Sequence, residues 1–309
     1  MPGFGQLDQQ PNLVVEDTMS FIRTSLMPLG AACLLVGAVA CSDSSSPTTA
    51  PALSKAQADS VAEVVTVDAS EVIEASGFNM TTGLALAPPM GAPPLSCMPA
   101  ITPFPPTNSD EDIVPDSVRF QYTNCSFTRG VMTHTLDGTI DVIDPTPTVS
   151  DLDIRTTFTN FSRTLFNSAT DRTVSALFDG TRELAATPDT LGVTMTDFLT
   201  AFTFANGATG SHLKNWTAKF TADVPGSISL GNPLPAGLLT ITGSSSWTRL
   251  DQSWTIATTT PTALHFTPAC TVSPRFDDGV LVHVVTRGDA TATFQVTFTA
   301  CGTYTVTRL

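Results

Sequence analysis

From Ser117 to the end of the chain, apolar and polar residues alternate with a period of two. Val118, Phe120 and Tyr122 alternate with Ser117, Arg119, Gln121 and Thr123. Trp216, Ala218, Phe220, Ala222 and Val224 alternate with Thr217, Lys219, Thr221 and Asp223, and Ala292, Phe294, Val296, Phe298 and Ala300 oppose Thr291, Thr293, Gln295, Thr297 and Thr299. Successive side chains of a strand point to opposite faces, so each run predicts a strand with one apolar face and one Thr-rich face. The span 117–309 holds material for ten to twelve such strands, with turns at Ala205-Asn206-Gly207, Asp277-Asp278-Gly279 and Arg287-Gly288-Asp289. No helix-length pattern interrupts them, so the crossovers that a parallel sheet needs are missing. The expected fold is mainly β: a large curved antiparallel sheet or half-barrel with one N-terminal helix. Such a sheet has to curl or fold over to bury its apolar face.

Two internal similarities run through this region. Leu136-Asp137-Gly138-Thr139, Phe178-Asp179-Gly180-Thr181 and Ile241-Thr242-Gly243-Ser244 share an apolar residue, a polar one, Gly, then Thr or Ser. Gly at such points marks hairpin turns or bulges. Tyr122-Thr123-Asn124-Cys125 followed by Gly130-Val131-Met132-Thr133-His134 is echoed by Phe266-Thr267-Pro268-Ala269-Cys270 followed by Gly279-Val280-Leu281-Val282-His283. The echo predicts similar stapled hairpins near the two ends of the sheet.

Ahead of the strands the pattern differs. Ser54 and Gln57 have capping-box spacing, and Val61, Val65, Ala69, Val72 and Ile73 recur every three to four residues before Gly77. This predicts a helix over 54–77, with Asp59, Glu63, Glu71 and Glu74 on a solvated face. Residues 78–116 are dense in proline and read as a covering loop. Residues 41–53, Ser- and Thr-rich with little to bury, read as a flexible tether.

Charge narrows the partners. With 14 Lys+Arg against 28 Asp+Glu the net charge is -14, which disfavours nucleic acid because binding it requires clustered cations. Hydrophobic residues make up 41% and charged ones 14%, enough apolar material for a real core.

Leu26 to Ala40 is uncharged, follows Arg23 and ends in Ala38-Val39-Ala40-Cys41. It is too short to span a bilayer and suits a signal-peptide core. These residues resemble the leader of bacterial envelope lipoproteins. The resemblance implies cleavage after residue 40, lipid on Cys41 and, with Ser42 following, sorting to the outer membrane facing the periplasm. The family's box usually has Leu where this chain has Ala38. Residues 1–40 then form the leader, with Met19 the expected true start, because Asp8, Glu16 and Asp17 do not suit a signal.

Removing Cys33 with the leader and lipidating Cys41 leaves Cys97, Cys125, Cys270 and Cys301. Three pairings are possible in an oxidising compartment. Cys97 with Cys125 and Cys270 with Cys301 are favoured, since each closes a loop of about thirty residues within neighbouring elements.

Catalytic patterns are sparse. No G-x-S-x-G, HExxH, CxxC, phosphate-loop or dinucleotide motif occurs. His134 and His283 occupy echoed positions as a possible metal pair, although His on Thr-rich strands reads as surface. Asp151 and Asp153 form a possible carboxylate pair, and Asn108-Ser109-Asp110-Glu111-Asp112 resembles a Ca²⁺ loop without EF-hand spacing. Neither displaces the bland reading of a solvated edge and a polar loop, so no cofactor and no metal is expected. An outer-membrane barrel is disfavoured by the scarcity of Tyr and Trp for aromatic girdles.

The expected function is therefore that of a non-enzymatic envelope lipoprotein. It would be membrane-held through its lipid anchor and serve a structural or protein-interaction role in an envelope complex. The alternative is a carrier of a lipid or other apolar ligand, lined by Phe198, Phe202, Trp216, Phe220, Phe294 and Phe298. A hydrolase using Asp151 and Asp153 is a third class.

Overall fold

The computed structural model describes residues 97–112, 114–149, 152–229, 232–249, 252–272 and 274–309. The expected leader, Cys41, the tether and the expected helix over 54–77 lie outside these residues. Twelve strands follow one another: β1 (Ala100–Thr102), β2 (Ser117–Arg129), β3 (Met132–Ile143), β4 (Leu152–Asn167), β5 (Arg172–Ala186), β6 (Thr190–Thr203), β7 (Thr209–Ala222), β8 (Gly237–Arg249), β9 (Gln252–Phe266), β10 (Phe276–Arg287), β11 (Ala290–Ala300) and β12 (Thr303–Arg308).

They form one sheet whose spatial order is the chain order, every pair antiparallel. Adjacent strands joined by short connections need no crossover, which is why a chain without described helices can build the whole sheet.

The sheet is open and does not curl into the expected half-barrel. Closure requires two long edges that can pair, and here the edge strands have three and six residues. β1 itself falls in the segment expected to be a covering loop, pairing Ile101 with Phe120 of β2. Asp277-Asp278-Gly279, expected as a turn, lies inside β10, where register shifts against β9 make it an irregular, bulged stretch.

Two disulfides join Cys97 to Cys125 and Cys270 to Cys301, the pairs that loop length favours. The first staples the approach to β1 onto β2. The second joins the β9–β10 loop to the β11–β12 turn.

Alternation gives the sheet an inner face. Val118, Ile140, Ile154, Val193, Ala218, Ile241, Leu264, Leu281, Val296 and Phe298 are buried there in one cluster, joined by Val114, Ile228 and Leu234 from the loops between strands. Each fully buried Val, Leu or Phe stabilises the fold by roughly 1.5–3 kcal/mol.

The two Asp-Gly repeats lie at bulges, whereas the third repeat, at Gly243, pairs with β7 without a register shift. Gly138, Gly180 and Gly243 have φ of 106°, 111° and 145°, and a Cβ there would collide with the backbone carbonyls of Asn160, Asp197 and Asn215 on the neighbouring strand. The opposing extra residues Asn124, Asn160 and Asp197 are left-handed, with φ of 47°, 48° and 47°, a conformation that Asn and Asp tolerate better than other non-Gly residues.

A bulge also frees a backbone N–H, which must find an acceptor. Asn124 N–H donates to Asp137 Oδ1 at 2.9 Å, Asn160 N–H to Asp179 Oδ2 at 3.0 Å and Asp197 N–H to Asn215 Oδ1 at 2.7 Å. One device thus recurs across β2 to β7, always closed by the Asx side chain of the next strand.

Candidate functional site

Register places a second set of residues on the inner face, on the side of the bulges that leads to the tight β2–β3, β4–β5, β6–β7 and β10–β11 turns. His134, Arg163, Thr200, His212, Lys214, Ser245, Trp247, Thr258 and His283 lie along a row from β3 to β10, with β5 contributing none. His134, Thr200, His212, Lys214, Ser245, Thr258 and His283 are all buried. Lys214 is 4% exposed and His283 1%, unusual for polar groups that burial penalises unless they are bonded.

Their local contacts are specific. His134 stacks on Phe127 with ring centroids 5.0 Å apart, and the Arg129 guanidinium lies 5.6 Å from the same ring. His212 stacks on Trp247 at 3.7 Å. The Lys214 ammonium stands 6.0 Å from the Phe198 ring, within the range of a cation–π contact. Thr258 Oγ1 and His283 Nδ1 share a hydrogen bond of 3.0 Å.

Burial sets the charge of these groups. Desolvation, then the nearby charges of Arg163 and Arg129, pull His134 down to about 4. Desolvation and Lys214 pull His212 to about 2, and desolvation alone takes His283 to about 4. Burial lowers Arg163 to about 10 and also lowers Arg182. The imidazoles are therefore neutral at pH 7, so each ring presents one donor and one acceptor.

Several polar atoms here have no hydrogen-bond partner among the described residues: Arg163 Nε, Trp216 Nε1, Trp247 Nε1, His134 Nδ1 and His283 Nε2. The first three can only donate. The strand carboxylates Asp137, Asp141, Asp153, Asp179, Glu183 and Asp197 all take the opposite, outer face. On that face Asp141 pairs with Arg119 at 2.6 Å and Glu183 with Arg155 at 2.8 Å. The strand architecture thus directs acids outward and a row of buried donors inward.

The six residues expected to line a ligand surface all lie on this inner face. Phe198 and Trp216 lie near the middle of the β6–β7 pair, Phe202 and Phe220 at its opposite ends, and Phe294 and Phe298 stand four strands from β7 on β11. His134 and His283 are buried instead of on the surface, and they are no metal pair. Seven strand spacings separate them, roughly 34 Å in an uncurled sheet.

Asp151 lies outside the described residues, and Asp153 lines a shallow outer depression of about 310 Å³ with Lys219 and Thr217. The fourth histidine, His265, is clamped on the outer face, with Nδ1 2.6 Å from Asp277 and Nε2 2.9 Å from Asp223. The bond to Asp223, then that to Asp277, raises its pKa.

The histidines predict how stability depends on pH. His134, His212 and His283 have folded pKa values below the unfolded value of about 6.5, so their contribution is complete above pH 6.5 and is lost as pH falls toward 4. His265 has the opposite sign. Its stabilisation is present below 6.5 and is lost as pH rises through its elevated pKa. Urea unfolding between pH 6.5 and 5 is expected to show a steep loss approaching three protons taken up per molecule unfolded, and His283→Gln should reduce that slope by about one. A flat profile would mean that these rings are solvated.

No protein-family model, curated protein or solved structure matches this chain.

Proposed function

We propose that this chain is a cell-envelope lipoprotein, held through lipid on Cys41 at the periplasmic face of the outer membrane, and that its sheet has a non-enzymatic interaction role. Two disulfides support an oxidising compartment, and the residues 26–41 resemble a lipoprotein leader. The observation that carries the interaction reading is the sorting of polar groups: buried donors on the inner face, strand carboxylates on the outer one. The inner groups are spread along a row over seven strands between β3 and β10 instead of converging on one point. Binding an extended partner suits a row, whereas acid–base chemistry needs groups within hydrogen-bond reach of one reacting atom.

A second reading has its own support. The donors of Arg163, Trp216 and Trp247 share the inner face with the rings of Phe198 and Phe202, which suits an apolar molecule with an acidic or carbonyl head.

Native mass spectrometry of the full protein, purified in mild detergent, separates the two. A retained polypeptide supports the interaction role, and a retained apolar acid beyond the N-terminal acyl group supports the carrier. Cys41→Ala is expected to move the protein from the membrane to the soluble fraction. Absence of acyl mass on the wild-type protein would overturn the anchored reading.

A further inference from the structure

We propose that Asp110, Asp112 and Asp144 form a divalent-cation site that takes Ca²⁺ and fastens the β1–β2 loop to the end of β3. Asp110 and Asp112 belong to that loop, and Asp144 directly follows Ile143, the last residue of β3. One carboxylate oxygen from each lies within 4.8 Å of the other two. Three like charges at that separation repel one another strongly away from bulk water.

The three carboxylates share a local arrangement. Asp110 Oδ1 accepts from Asp112 N–H at 3.3 Å, Asp112 Oδ1 from Val114 N–H at 2.6 Å and Asp144 Oδ1 from Thr146 N–H at 2.8 Å. In each case one oxygen is committed to the backbone two residues on. The second points to a ligand most directly at Asp144, which is 2% exposed and whose Oδ2 is buried without a hydrogen-bond partner. Asp110 Oδ2 is likewise buried and unbonded among the described residues. An ionised oxygen in that position costs several kcal/mol unless a cation or donor meets it.

The frame around the cluster is braced. Asp144 N–H donates to the Asp116 carbonyl at 3.2 Å, and Asp116 N–H to the Thr107 carbonyl at 2.9 Å. The Asp116 carboxylate accepts from Ser109 N–H at 2.7 Å and from its hydroxyl at 2.6 Å, and these bonds lower its pKa. Asp116 is thus already used in holding the loop.

An all-oxygen donor set with no nitrogen or sulfur selects a hard cation. Three carboxylates on a loop suit Ca²⁺, which accepts irregular geometry and completes its shell with carbonyls and water. Mg²⁺ demands near-octahedral order and binds through fewer carboxylates. This site is independent of what the inner face binds.

The test uses the full-length protein, stripped with chelator and titrated calorimetrically with CaCl₂ and separately with MgCl₂. One Ca²⁺ per chain is expected, with a Kd of roughly 10⁻⁵–10⁻³ M, as in sensors and extracellular modules, and a higher Tm with Ca²⁺ present. Asp144→Asn should weaken binding at least about tenfold. Asp110→Asn, at a less buried position, should do the same, and far-UV circular dichroism confirms that each variant is folded. Failure of the stripped protein to saturate, affinity unchanged in folded Asp110→Asn, or Mg²⁺ binding as tightly as Ca²⁺ would overturn the assignment.

Discussion

Gly180→Ala is expected to cost about 3 kcal/mol in urea unfolding, because strain and overpacking each contribute on the order of 1–3 kcal/mol. Gly180 sits at φ 111° in the bulge between β5 and β6, and an added methyl would press into the Asp197 carbonyl and the Phe198 Cα. Neither neighbour can yield cheaply, since both are backbone atoms of a strand paired on its other side with β7. Gly130 provides the control. It has φ 58° in the β2–β3 turn with nothing within 4 Å of an added Cβ, so Gly130→Ala should cost only about 1–2 kcal/mol for the left-handed backbone. Equal losses at the two positions would show that conformation alone, and not the close approach of β6, requires glycine at 180.

Removing the Cys270–Cys301 disulfide by a double Ala substitution should cost about 3–4 kcal/mol on the chain-entropy account, given its sequence separation of 31. The bond holds the β9–β10 loop against the β11–β12 turn, and among the described residues β12 pairs with β11 alone. Loss of the bond should therefore also release the edge. Backbone amide exchange is expected to rise first in β12 and next in β11. A uniform rise across the sheet would instead indicate one cooperative unit.

Much of the strand layout was legible in the residues. Period two over 292–300 became β11, and the same rule produced β2 and β7. The buried polar row was legible by that rule too. His212 and Lys214 are in phase with Trp216, Ala218 and Phe220, Arg163 with Phe161 and Leu165, and His283 with Leu281 and Val285. Reading His as surface by residue type overrode a phase that already assigned His134 and His283 to the apolar side.

The Asp-Gly repeats were visible as signals but ambiguous between turn and bulge. What distinguishes them is the Asx residue opposite, about twenty positions along, which only strand pairing brings near. Asp144 was invisible as a partner of Asp110 and Asp112 for the same reason.

By itself the sequence determined the class of structure: antiparallel strands, an inner apolar face, an outer Thr-rich face and the loop lengths that favour the two disulfide pairs. Those follow from local alternation and short-range spacing, which need no knowledge of the partner strand. Only the tertiary structure decided that the sheet stays open, that Gly138 and Gly180 lie at bulges, that buried donors line up across β3 to β10 and that three aspartates from separate segments converge. Each of these depends on register between strands, and register is set by pairing energies summed over residues far apart in the chain.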